Sequence, residues 1–511
     1  MNPASHHNRM ATVPDLDRAR IGALGYPLTV EQDKILDHRP TGISKWEAFA
    51  GCAKTSTLIE YAHQHPEPAL YLAFNAAIAA DAKPRFPSHV QTYTAHSYAY
   101  RAMSAHQYKD RLVNRLNPEH LDPCRDVLRR VGNMTELAVK RAILKSLHQY
   151  LISDTDQVTA DHLRGFPIMA RQAVLPMVIA VVDRLMDFEQ SNMAFTHDIY
   201  LKAFALRGKI SSQFEYIKVD EAQDLNPVLI DIVRKARRPV NIVGDPWQSI
   251  YGFRGAESAM DQFRGQRFTL SQSFRFGPEI AACANFILKQ SLTPPDTPIV
   301  GNRAKDSKVR EYLGSVSGKA TVLARTNLRL FESLVKIPHG FHVVGGIGEL
   351  ISQVAAGYAL RSSTALQPKI IDPVVSRFKT WEDLVEAAED GDEPELSRLV
   401  KIIEQYGKDI PDILTDLKNR HLDNEQDPNC RFIVSTGHKS KGREWDTVIV
   451  LDDFLTPSEL RAYLAKKRIK PHEYDQEINL LYVTLTRAIG TLLLSSNMYD
   501  AVSAGAGLPR I

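Results

Sequence analysis

One stretch constrains the chain more than any other: Ala48-Phe49-Ala50-Gly51-Cys52-Ala53-Lys54-Thr55. An apolar run, Trp46 to Ala50, suits a buried strand, and Ser56 to Ala62 suits the start of a helix. A strand, a tight loop carrying Lys-Thr and then a helix is the arrangement that holds a triphosphate, because backbone N–H groups and the helix N-terminus face the phosphates. In that reading Ala50, Gly51, Cys52, Ala53 and Ser56 line an ATP site. Lys54 reaches the β and γ phosphates, and the Thr55 hydroxyl ligates Mg²⁺. The usual pattern has glycine at both ends of the loop; here Ala48 and Ala53 stand there, with only Gly51 inside. Alanine at a positive-φ position costs on the order of 1 kcal/mol. The alternative is an ordinary strand–helix turn with an incidental lysine.

Length and composition bound the answer loosely. A chain of 511 residues predicts roughly three or four domains, and 44% hydrophobic residues suffice for sizeable cores. No run approaches the ~18 apolar residues that span a bilayer, and Met1 to Arg20 has no apolar signal core. The expectation is a cytoplasmic protein, nucleoid-associated if bacterial, with no membrane partner. Cys52, Cys124, Cys283 and Cys430 lack metal-ligand spacing, and Cys52, inside the loop, is expected to be sensitive to thiol reagents. A net charge of +3 neither demands nor excludes a nucleic-acid partner.

Residues 1–26 read as a poorly ordered lead-in. Gln32 follows, placed where its amide would read an adenine edge, or simply face solvent. Ala69 to Phe74 is a strand ending in Asn75. Val90 to Tyr93 is another, running into Thr94-Ala95-His96-Ser97. Phe74, Asn75, Thr94 and His96 would then line the C-terminal edge of a parallel sheet, where ligands sit in such folds. From about 100 to 205 the pattern is helical and basic residues recur (Arg101, Lys109, Arg111, Arg115, Arg125, Arg129, Arg130, Lys140, Arg141 and Lys145); a solvated surface and a phosphate-contacting one are equal readings. The strand Glu215 to Val219 leads into Asp220-Glu221-Ala222-Gln223-Asp224, so Asp220 would hold Mg²⁺ through water and Glu221 would orient and deprotonate the attacking water. The strand Val240 to Val243 leads to Gln248, placed to sense a γ-phosphate. Tyr251, Phe253 and Arg254 come next, and aromatics interleaved with arginine suit base stacking on a single strand, with core packing as the alternative.

The order of phosphate loop, Asp220 to Asp224, then Val243-Gly244-Asp245-Pro246-Trp247-Gln248-Ser249-Ile250-Tyr251-Gly252-Phe253-Arg254-Gly255-Ala256 resembles the UvrD/Rep/PcrA branch of superfamily 1 DNA helicases. Leu270 to Arg275 resembles that family's Asn-Tyr-Arg motif, with Phe274 in the tyrosine's place. Ala320 to Asn327 resembles the strand opening the second motor domain. Thr436 to Trp445 resembles Thr-x-His-x-x-Lys-Gly-Leu-Glu-Phe, with Arg443 and Trp445 for Leu and Phe. Glu477 to Ala488 resembles the last motif. Phe195-Thr196-His197-Asp198-Ile199-Tyr200-Leu201-Lys202 and the Ala-Phe-Ala-Gly loop are similar to the helicase core of F-box DNA helicases, with no F-box expected ahead of the motor.

The resemblance implies an α/β fold of two RecA-like parallel-sheet motor domains of the P-loop NTPase type, each with a helical insertion. Residues 27–100 and 206–276 would form the first domain, interrupted by 101–205; residues 277–350 and 429–511 would form the second, interrupted by 351–428. The acidic run Glu386 to Glu395 in that short second insertion reads as a solvated turn. By the same resemblance Phe274 stacks on adenine, Arg275 contacts the γ-phosphate, Gly442 and Glu444 face the nucleotide, and Arg487 is the arginine finger. Thr436 and His438 join Phe74, Asn75, Thr94, His96, Tyr251, Phe253 and Arg254 along the DNA strand. The implied activity is an ATP- and Mg²⁺-dependent helicase or translocase on single-stranded and tailed duplex DNA. It would move 3′ to 5′, in repair or recombination, with repair proteins as partners and a monomer sufficing. A translocase that strips proteins shares every motif. A nucleotide-gated binding subunit, for instance of a defence complex, has only Ala48 and Ala53 in its favour, against Lys54, Glu221, Gln248, Arg275 and Arg487. The short stretch after Arg487 carries no nuclease-like cluster, so an attached nuclease is not expected.

Overall fold

The computed structural model describes residues 20–250, 252, 259–362, 372–389 and 394–508. The chain forms two compact units: residues up to 49 with 53–270, and residues 50–52 with 271 onward.

The first unit is built on β1 (Ile43–Ala48), β2 (Ala69–Ala73), β3 (Val90–Thr94), β4 (Tyr216–Val219), β5 (Val240–Gly244) and β6 (Gln266–Leu270). They lie in the order β3-β2-β4-β5-β1-β6 and every pairing is parallel. Strands β2, β4 and β5 are buried along their whole length, as near-continuous apolar runs in a parallel sheet require. Strand β1 starts and ends earlier than the run Trp46 to Ala50 suggested. Its polar members are compensated: Arg267 on β6 lies 2.7 and 2.6 Å from the Glu47 carboxylate, and Lys45 lies 3.7 Å from it.

Residues 20–26, expected within a poorly ordered lead-in, are tied down instead; residues 1–19 lie outside the described residues. Arg20 pairs with Asp33 and Asp37 at 3.1 Å each. The backbone N–H groups of Ala23 and Leu24 donate to the buried Glu60 carboxylate at 2.7 and 2.8 Å. Pairing of these groups offsets the chain entropy that would otherwise leave the segment loose. Between β3 and β4 sits a helical insertion whose long helices are Glu136–Leu151, Arg171–Met186 and His197–Arg207. It has its own core, including Ile143, Leu147, Val178, Val181 and Phe195.

The second unit holds β7 (Lys308–Glu311), β8 (Ala320–Ala324), β9 (Phe341–Val343), β10 (Phe432–Thr436), β11 (Trp445–Val450) and β12 (Ala488–Leu494). Their order is β7-β12-β11-β8-β10-β9, again parallel throughout. Both units are therefore parallel α/β sheets, the fold class the motifs imply. Between β9 and β10 come the helices Gly348–Ser362, Trp381–Glu389, Pro394–Tyr406 and Ile410–Arg420. The acidic run read as a turn is helical on both sides of residues 390–393, which lie outside the described residues. Leu384 and Ala388, then Leu396, Leu399 and Ile403, recur at helical spacing and are buried, so Glu386, Glu389 and Glu395 occupy outward faces. Among the described residues no helix is long and apolar enough to cross a membrane.

Candidate active site

The chain leaves β1 and enters the helix Lys54–Gln64 through a loop ending at Ala53, which adopts φ 56° and ψ 38°. Ala48, by contrast, ends a strand in extended backbone. The anticipated strain therefore falls on one alanine, at a cost of about 1 kcal/mol. No side chain caps this helix at Ala53, so its leading N–H groups at Lys54, Thr55 and Ser56 present positive dipole ends, the standard seat for a phosphate.

Acidic groups converge opposite them, at the end of β4. Thr55 Oγ1 donates to Asp220 Oδ2 at 2.8 Å, and the Tyr71 hydroxyl donates to the same oxygen at 2.8 Å. Lys54 Nζ stands 3.8 Å from Glu221 Oε1. Burial first, and the adjacent Glu221 second, push the Asp220 carboxyl above the usual carboxylate range. A buried carboxylate beside a hydroxyl is an all-oxygen donor set that suits Mg²⁺. No group of three or more His, Cys, Asp or Glu side chains that could hold a metal ion occurs among the described residues.

Glu221 is itself held in a left-handed conformation at φ 50°. Such a backbone costs on the order of 1–3 kcal/mol and persists only where neighbours enforce it. Its N–H donates to Asp220 Oδ1 at 2.9 Å, and Gln223 Nε2 donates to Glu221 Oε2 at 2.6 Å. Gln223 Oε1 in turn accepts the Asp245 N–H at 3.0 Å, and Asp245 Oδ2 accepts Gln248 Nε2 at 2.8 Å. A hydrogen-bonded run thus joins Glu221 to Gln248 through Gln223 and Asp245. Gly244 lets it close, since a Cβ there would lie 2.4 Å from Gln223 Oε1. Sequence reasoning singles out the two ends of this run but not Gln223, Asp245 or Tyr71. The signal for Gln223 is its fixed place in Asp-Glu-x-Gln-Asp.

Gln32 is buried beside the same helix. Its amide oxygen accepts from Thr29 N at 3.0 Å and its nitrogen donates to Thr57 Oγ1 at 2.9 Å. Reading an adenine edge would mean exchanging those bonds. Ser56 Oγ accepts from Arg85 at 3.3 Å.

Ala50, Gly51 and Cys52 pack with the second unit. Ala50 N donates to the Tyr482 hydroxyl at 2.8 Å, Ser273 Oγ donates to Ala50 O at 3.0 Å, and Phe274 N donates to Gly51 O at 2.8 Å. Gly51 has φ 75°, and a Cβ on it would lie 2.5 Å from Arg275 Cβ. Cys52 is buried, which corrects the expectation of thiol-reagent sensitivity: the residue has almost no exposed surface. Arg275 Nε donates to Glu444 Oε2 at 2.5 Å and its Nη1 to Thr486 O at 3.0 Å. Arg487 is 1% exposed. Its guanidinium donates to Val483 O at 2.7 Å, Arg443 O at 3.0 Å and Thr486 Oγ1 at 3.3 Å, so it pins the junction between the last helix turn and β12. Gly442 takes φ 81°, the Phe274 ring is partly exposed, and Thr436 ends β10 with its hydroxyl accepting Lys439 N at 3.3 Å, one residue beyond His438.

The residues read as a strand track divide three ways. Phe74, Asn75, Thr94 and His96 gather at the C-terminal ends of β2 and β3. Phe74 is exposed, Asn75 Oδ1 caps the next helix by accepting Ile78 N at 2.9 Å, Thr94 shares a capping box with Ser97, and His96 pairs with Asp198 at 3.1 Å. Thr436 and His438 follow β10 in the second unit. Tyr251, Phe253 and Arg254 lie outside the described residues.

Residues 28–264 match the UvrD/REP helicase N-terminal domain, and residues 356–499 match the UvrD-like helicase C-terminal domain. The chain is 30% identical to F-box DNA helicase 1 of Gallus gallus, over 92% of this chain and 49% of that protein. It is 28% identical to F-box DNA helicase protein 1 of Schizosaccharomyces pombe, over 94% of this chain and 59% of that protein. A shorter similarity, 25% identity over 31% of this chain, reaches 26% of the ATP-dependent DNA helicase PcrA of Leuconostoc citreum. The chain thus spans 49% to 59% of the two F-box relatives.

Proposed function

The chain belongs to the UvrD-like helicases, and from that premise we propose that it hydrolyses ATP to drive movement along a single strand of DNA. The observation that carries the proposal is the convergence of Lys54, Thr55, Asp220 and Glu221 at the phosphate loop, with Thr55 and Asp220 in direct contact.

Mg²⁺-bound ATP, when present, supplies the γ-phosphoryl group and a metal charge that offsets the negative charge of transfer. The chain's residues do the rest. Lys54 and the leading N–H groups of its helix bind phosphate oxygens. Thr55 and Asp220 hold the metal side, Asp220 being oriented by Tyr71 and by the Glu221 N–H. Glu221 accepts a proton from the attacking water, its carboxylate fixed on one side by Gln223. Because Gln223 also holds Asp245, and Asp245 holds Gln248, a change at Glu221 is carried by hydrogen bonds to the segment that begins at Gln248. In the second unit we assign Arg275 and Arg487 to transition-state charge, a role worth roughly 10³–10⁵ in rate for an arginine finger. Phe74, Asn75, Thr94, His96, Tyr251, Phe253, Arg254, Thr436 and His438 are assigned to the strand. Movement 3′ to 5′, a place in repair or recombination, and a cytoplasmic or nucleoid setting complete the proposal.

The test is ATP hydrolysis with and without single-stranded DNA, wild type beside Glu221→Gln. Strong stimulation by the strand, lost in the variant by a factor of about 10²–10⁴, is the expected result. Unstimulated, near-zero turnover in both proteins would favour a nucleotide-gated binding subunit instead.

A further inference from the structure

A groove in the helical insertion of the first unit has no part in the chemistry above. Its volume is about 580 Å³, and Arg115, Asn117, Arg141, Lys145, His148 and Asp198 are among its lining residues. Arg141, Lys145 and His148 fall at i, i+4 and i+7 of the helix Glu136–Leu151, so they share one face. At 1.5 Å of rise per residue that row is about 10 Å long, more than one phosphate group spans. Arg115 faces it from the segment before Pro118.

The charges on this row differ from their neighbours. Lys140, one residue away but on another face, meets Asp122 and Glu136 at 2.6 Å each; Arg125 shares those carboxylates at 3.5 Å; Arg184 meets Asp126 at 2.5 Å. Among the described residues no carboxylate forms an ion pair with Arg115, Arg141 or Lys145. The one carboxylate in the groove, Asp198, is already engaged by His96 at 3.1 Å. That pair also fixes the groove's position: one end abuts His96, just past the C-terminal end of β3.

We infer that this groove is a second seat for a nucleic-acid strand, with Arg115, Arg141 and Lys145 contacting successive phosphates of the strand that passes His96. The inference rests on the single-strand reading proposed above and extends it to a site outside the motifs.

Binding of the full chain to an oligo(dT) strand, followed by fluorescence anisotropy from about 50 to 200 mM salt, is the test, because each phosphate contact on a single strand contributes about 0.7 to the slope of log affinity against log salt. The variant Arg115→Ala/Arg141→Ala/Lys145→Ala is expected to lose about 2 from that slope. Its strand-free ATP hydrolysis and its unfolding midpoint should stay at wild-type values, and Arg141→Lys with Lys145→Arg should keep the slope. An unchanged slope in the triple variant, with wild-type hydrolysis still stimulated by the strand, overturns the groove alone. A loss confined to blunt duplex DNA overturns the strand assignment. A wild type that neither binds the strand nor is stimulated by it overturns the function proposed above, and the groove with it.

Discussion

Lys54 in the first unit and Arg487 in the second are both expected, from their motifs, to answer a γ-phosphate, and their settings are opposite. Lys54 lies 3.8 Å from Glu221, beyond hydrogen-bond range, on a flexible stem beside a loop whose N–H groups no side chain caps. Arg487 is almost wholly buried and donates to three oxygens of its own unit. A lysine side chain can turn toward an anion by rotation about its own stem. The arginine cannot leave without breaking its bonds to the Val483 and Arg443 carbonyls, so a phosphate-contacting role for it entails rearrangement of the Val483–Arg487 junction. The first cation sits at the start of an uncapped helix; the second is part of the architecture of its unit.

The sharpest way to break this comparison is Lys54→Ala. Hydrolysis should fall by on the order of 10³ or more while the unfolding midpoint barely moves, and full activity in that variant would remove the phosphate-loop assignment. Arg487→Ala comes next. Losing a buried charged donor from several acceptors should cost about 3 kcal/mol of stability as well as activity, read from denaturant unfolding of the second unit. If activity fell with stability untouched, the supposed difference between the two cations would vanish. Ala53→Gly tests how the loop itself is held. Relief of the left-handed backbone should stabilise the first unit by about 1 kcal/mol, and no gain would mean that the loop's neighbours already absorb the strain. The smallest effect belongs to Glu444→Gln. Its pair with Arg275 is half exposed on the glutamate side, so the change should stay under about 1 kcal/mol, or roughly fivefold in nucleotide affinity measured by titration.

These settings explain which features the sequence discloses. Parallel-sheet strands such as Ala69–Ala73 and Val240–Gly244 are apolar nearly throughout, so a run of residues is enough to find them. The start of β1 is not legible, because Ser44 and Lys45 break the apolar run there, and Glu47 keeps its place in the strand beside Lys45 and Arg267, the latter 220 residues away. Lys54, Thr55, Asp220 and Glu221 are recognisable by residue type and spacing, and the fold brings them together. The roles of Gln223 and Asp245 are set by which way two side chains turn, and spacing does not record that. Asn75 and Thr94 show the limit from the other side: both occupy the expected strand ends, yet their side chains also cap the following helices. A motif reading sees the position and misses the second duty.

Glu60 carries a practical consequence. Its carboxylate is buried on the helix that opens at Lys54, and the N–H groups of Ala23 and Leu24 satisfy it from a segment ahead of the first motif. A shortened protein starting at residue 27, where the motifs place the start of the motor, would strand a charge in the interior, at a cost of roughly 1–3 kcal/mol. Anyone trimming this chain for a nucleotide assay would then record a weakened phosphate loop and blame the alanines in it, when the fault lay in where the cut was made.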